Sequence, residues 1–103
     1  MLTFDDCKII LGKRSKKKLR LNTTLSQKDD NTYVVCFYNT DIVEIRDDGT
    51  YTLNHGGWMT VTTKARINEY SPGYISQKNG VWYLNSLPFK NGCCINLTGE
   101  LVA

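Results

Sequence analysis

From residue 8 to residue 97, apolar and polar positions alternate in short blocks that predict strands. "KIIL" at 8–11 reads as a short strand ended by Gly12. "KLRLN" at 18–22 sets Leu19 and Leu21 against charged neighbours, the pattern of a half-buried or edge strand. The polar stretch 22–32, "NTTLSQKDDNT", reads as a loop. "YVVCFYN" at 33–39 is β-branched and aromatic, which predicts a strand covered on both faces. "NTD" then makes a tight turn or bulge before "IVEIR" at 42–46.

Turn residues organise the middle and C-terminal parts of the chain. Asp47-Asp48-Gly49 is a hairpin signal, and "TYTLN" at 50–54 is the returning strand, with Tyr51 and Leu53 on one face. Gly56-Gly57 breaks it. A short helix over 62–70 is predicted next, capped by Thr62 or Thr63 and stopped by Ser71-Pro72-Gly73. Ile67, Tyr70 and Val61 are its expected inward residues. A second hairpin joins "YISQ" (74–77) to "VWYL" (81–84) through Asn79-Gly80. Trp82 and Tyr83 must face opposite ways on that strand, and the pattern does not say which is inside. Pro88 and Asn91-Gly92 mark a loop before a final strand, "CCINL" at 93–97. The prediction is α+β: a mainly antiparallel sheet of six to eight short strands carrying one short helix.

Composition narrows the class. A chain of 103 residues is read as one domain, 1–103, able to fold without disulfides or metal, although a homodimer would add buried area. Hydrophobic content of 41% and charged content of 22% are ordinary for a globular protein. No run approaches a transmembrane span, and the N-terminal charges are arranged against a secretory signal. An intracellular chain with no membrane contact is expected. Cys7, Cys36, Cys93 and Cys94 lack the spacing of a zinc site, and His55 is the single histidine, so reduced thiols and no metal are expected.

Charge is uneven. The net charge is +3, and residues 13–20, "KRSKKKLR", hold six bases: Lys13, Arg14, Lys16, Lys17, Lys18 and Arg20. Residues 21–103 carry six bases against eight acids. This basic strap is either a solvated, partly mobile arm or edge strand, or a contact for phosphate.

The corner at 53–70, "LNHGGWMTVTTKARINEY", carries two readings. In one it is a ligand site: a helix N-terminus attracts anions, the hydroxyls of Thr60, Thr62 and Thr63 donate, Lys64 and Arg66 add charge, and Trp58, with Tyr70, offers stacking faces. In the other the glycines merely turn the chain, Trp58 plugs the core and a threonine caps the helix. Neither the P-loop nor the GxGxxG spacing is present. His55 has no nucleophile placed beside it by a recognised motif, so catalysis is not expected.

The block "NTDIVEIRDDGTYTLNHGGWMTVTTKARINEY", together with "QKNGVWYL" after it, resembles a family of small proteins of tailed bacteriophages, over about residues 39–84. Its recurring words are TDIV, DG, LNSGGW, TVTTK, RIN and G-WY. This chain departs from them at His55, where a serine is expected, and at Met59, where an arginine is expected. The resemblance implies a viral protein at work in the host bacterial cytoplasm. Small phage proteins without a catalytic constellation act by binding. The leading expectation is an anti-defence, anti-CRISPR-like inhibitor whose partner is a host defence protein or nucleoprotein complex. The alternative is direct nucleic-acid binding through the strap and the Gly-Gly/helix corner. A third reading is a sponge for a phosphorylated signalling nucleotide. No cofactor is implied.

Overall fold

Thr3 and Asp6 decide the first element. The Thr3 hydroxyl accepts the Asp6 N–H at 3.1 Å, and the Asp6 carboxylate accepts the Thr3 N–H at 3.0 Å. This reciprocal cap starts helix α1, Phe4–Leu11, which Gly12 ends at φ 59°. Residues 8–11 are therefore helix and not the predicted strand, because a short apolar run does not separate the two states and the upstream cap does. The described residues thus hold two helices, against the single one that the pattern predicts.

The computed structural model describes residues 1–102. After α1 come strands β1 (Lys16–Arg20), β2 (Thr23–Asp29), β3 (Thr32–Phe37), β4 (Thr40–Arg46) and β5 (Tyr51–Leu53). Helix α2 (Val61–Tyr70) precedes β6 (Ile75–Lys78), β7 (Val81–Leu84), β8 (Leu87–Pro88) and β9 (Cys94–Ile95). The first five strands form an antiparallel meander that β9 extends, in the order β1-β2-β3-β4-β5-β9. A separate three-stranded sheet runs β6-β7-β8. The α+β class holds, with more and shorter strands than predicted.

Alternation selects one covered face. Leu25, Val35, Val43 and Leu53 stand opposite one another across the sheet, as do Tyr33, Ile45, Tyr51 and Ile95. They join Cys7 and Leu11 of α1, Ile67 and Tyr70 of α2, and Ile75, Trp82 and Leu84 of the small sheet in one buried cluster. A register slip in β4 lets consecutive Ile42 and Val43 both be buried. The opposite face is polar, with Lys28 and Arg46 paired to Glu44. β3 is covered on both faces over Thr32–Val35, as its composition predicts: Tyr33 and Val35 face the core cluster, and Val34, on the other face, is buried outside it.

Several predictions of detail are corrected. Residues 23–29 form β2 and not a loop, because Thr23 and Leu25 alternate inward against β3. Residues 16–20 form the edge strand that was one of the two readings of the basic strap. Pro88 lies in a two-residue edge strand, a place where its missing N–H does no harm. Trp82 is the inward residue of its pair and Tyr83 the half-exposed one. The Asn79-Gly80 hairpin is as predicted, both residues having positive φ. Among the described residues, no helix is long and apolar enough to cross a membrane.

Candidate functional site

A meander brings alternate turns to the same end of its sheet. Here the β1–β2 turn (Leu21-Asn22) and the β3–β4 turn (Tyr38-Asn39) sit side by side, and the Tyr38 N–H donates to the Asn22 carbonyl at 2.8 Å. The chain leaving β5 arrives at that end too. Between these turns and the N-terminal turn of α2 lies a cleft of about 730 Å³. Phe37, Ile42 and Leu21 supply apolar wall; Trp58 and Tyr38 stand at its edge, each 67% exposed. Thr60, Thr62, Thr63 and Arg66 complete it on the helix side.

The corner that carries Trp58 is held by a local network. Asn54 Oδ1 accepts the Gly56 N–H at 3.0 Å and the Asn91 amide at 2.7 Å, while Asn91 Oδ1 accepts the His55 N–H at 2.8 Å. The Trp58 N–H bonds the His55 carbonyl at 2.9 Å. Trp58 is exposed and not a core plug; that role falls to Trp82, packed between His55 and Phe89.

Helix α2 begins one residue earlier than predicted. Thr60, not Thr62 or Thr63, is the N-cap, accepting the Thr63 N–H at 3.1 Å. Val61, expected inward, is 72% exposed. Arg66 Nε donates to the buried Thr23 hydroxyl at 3.3 Å, and its guanidinium lies over the Phe37 ring at 5.8 Å. With Nε engaged, the terminal nitrogens remain as donors.

The other predicted site residues go elsewhere. Tyr70 is buried in the core, turned away by helical periodicity. Lys64 reaches the small sheet, bonding Gln77 at 3.3 Å. None of the strap lines the cleft. Lys16 and Lys18 pair across to Ser26 and Thr24 on the open face, while a bulge returns Arg20 towards α2, where it meets Glu69 at 2.7 Å. Lys13 and Arg14 lie in the α1–β1 connection and Lys17 is half-buried. Asn22, Tyr38 and Asn39 also line the cleft and carry no local sequence motif. The signal for them was topological: in a meander, odd-numbered turns share an end.

His55 lines the cleft as a neutral ring. Its Nδ1 accepts the Gly57 N–H at 2.9 Å, which leaves the proton on Nε2. Burial lowers its pKa below the ordinary 6.5. The folded chain therefore holds fewer protons than the unfolded chain below that value, so this contribution to stability is full above about pH 6.5 and falls on acidification. Thermal unfolding between pH 7.5 and 5 is expected to show a falling midpoint. A His55→Gln variant should show a flatter profile. The cysteines are free: burial pushes the Cys7 thiol up to about 12, and Cys36, Cys93 and Cys94 are half-buried.

These features define a small α+β protein with a half-covered sheet and an aromatic-edged cleft. Residues 7–96 match the family model described as Kyanoviridae Gp96 protein, and the chain belongs to that phage protein family. That agrees with the resemblance to phage proteins over residues 39–84. No curated protein and no solved structure matches the chain.

Proposed function

We propose that this phage protein is an accessory protein that acts by binding, without catalysis, in the host cytoplasm, and that its cleft takes a base-and-phosphate ligand of the nucleic-acid type. The observation that carries this reading is the pairing of exposed aromatic rings, Trp58 and Tyr38, with Arg66 and the α2 threonines Thr60, Thr62 and Thr63 around one cleft. Trp58 offers a stacking face; Arg66 and the helix N-terminus favour negative charge. A Trp58→Ala variant is expected to bind single-stranded oligothymidylate roughly fivefold to a hundredfold more weakly, the range for one lost stacking partner. Its unfolding midpoint should not move, because the ring is largely exposed. Fluorescence anisotropy at two salt concentrations checks both affinity and the expected loss of binding in salt. Salt-insensitive or absent binding refutes the reading.

A second reading, the anti-defence or anti-CRISPR-like inhibitor, draws on a different observation. Leu21, Tyr38, Trp58, Met59 and Val61 are all exposed large apolar side chains at this end of the molecule. A patch of that kind suits an anchor for a protein partner. Pull-down from host lysate with and without nuclease separates the two: a discrete host protein that survives nuclease and is lost with Trp58→Ala favours inhibition.

A further inference from the structure

A second depression, of about 410 Å³, lies on the open face of the sheet. It shares Asn22, Tyr38 and Asn39 with the cleft, so the β1–β2 and β3–β4 turns form a ridge between the two. Its own wall includes Lys16 from the basic edge strand and Asp41 from β4. Tyr38 stands on the ridge at φ 54°, a backbone region that a bulky residue rarely occupies. That conformation holds the ring out in solvent, edge-on to Phe37 with centroids 4.8 Å apart.

From this continuity we infer that the ligand is a strand and not a free nucleotide: a single-stranded nucleic acid seats one base in the cleft beside Trp58, crosses the ridge past Tyr38, and places the next unit beside Lys16. The inference rests on the reading of the cleft given above. Charge supports the direction of the path. β1 puts Lys16 and Lys18 on the open face, beyond the ridge, where a phosphate backbone leaving the cleft would meet them. Asp41 makes the second depression a poor seat for phosphate itself. Its carboxylate instead accepts from a base N–H, such as thymine N3–H, or from a sugar hydroxyl. The linkage between the two units falls at the ridge, where the Asn22 and Asn39 side-chain amides are donors.

The experiment titrates Trp58 fluorescence with thymidine monophosphate and with tetrathymidylate, in the parent chain and in Lys16→Ala. Trp58→Phe subtracts the buried Trp82 signal. The tetranucleotide is expected to bind at least about tenfold more tightly than the mononucleotide, within the range for one further stacked base. Lys16→Ala should weaken the tetranucleotide severalfold and leave the mononucleotide unchanged. Equal affinity for the two ligands overturns the inference while the cleft reading stands. A Lys16→Ala variant that binds the tetranucleotide as the parent does has the same meaning. If neither ligand changes the Trp58 signal, the cleft reading falls as well.

Discussion

Trp82→Ala should destabilise the protein by about 3–5 kcal/mol, the range for truncating a fully buried aromatic. That is a large share of the roughly 5–15 kcal/mol available to a small domain. The side chain is 1% exposed, and its ring packs on His55 at 5.5 Å and Phe89 at 5.8 Å, tying the small sheet to the corner and to the loop after β8. Removing it takes away the backing of His55, one wall of the cleft, so ligand affinity should fall together with stability. Trp82→Phe is the informative companion. The indole Nε1 is buried without a hydrogen-bond partner, and phenylalanine removes that unsatisfied donor along with some volume. Its cost should therefore stay below about 1.5 kcal/mol. Urea unfolding followed by circular dichroism measures both variants without relying on tryptophan emission.

Gly56→Ala should be the most damaging small change at the corner. Gly56 sits at φ 61°, where an L-residue costs about 1–2 kcal/mol. An added Cβ would also lie 2.6 Å from Thr40 Cγ2 and 2.7 Å from Thr40 Oγ1, so the Thr40 side chain or one of the two chain segments must shift. Thr40 and His55 both line the cleft, and Trp58 hangs on the same turn, so binding should weaken with stability. Gly57→Ala provides the control: φ is 88°, but nothing lies within 4 Å of the added atom, so only the backbone cost applies. Combining Gly56→Ala with Thr40→Ala should recover the steric part and leave the backbone part. Urea midpoints for the parent, the two single variants at Gly56 and Thr40, and the double variant give the coupling. Equal effects of Gly56→Ala and Gly57→Ala would show that the Thr40 contact does not matter.

Local chemistry was enough to determine several elements from the sequence by itself. Asp47-Asp48-Gly49 and Asn79-Gly80 name their hairpins because few residues accept positive φ. The alternation of Tyr51 with Leu53 names an inward face because a strand has a period of two. Ser71-Pro72-Gly73 ends α2 for an equally local reason. Where two local readings competed, the sequence misled. "KIIL" is apolar enough for either state, and the deciding Thr3–Asp6 cap lay outside the run. Residues 22–32 looked like loop because β2 is largely polar, yet pairing with β3 needs only its backbone and two inward side chains.

The candidate site divides in the same way. Trp58, Thr60, Thr62, Thr63 and Arg66 were legible because they are neighbours in sequence around one corner. Tyr70 and Lys64 were grouped with them on the same ground, and the helix turned them to other faces. Asn22, Tyr38 and Asn39 come from turns far along the chain and carry no motif. The antiparallel meander alone brings them to the same end as Trp58, since every second turn of such a sheet must return there.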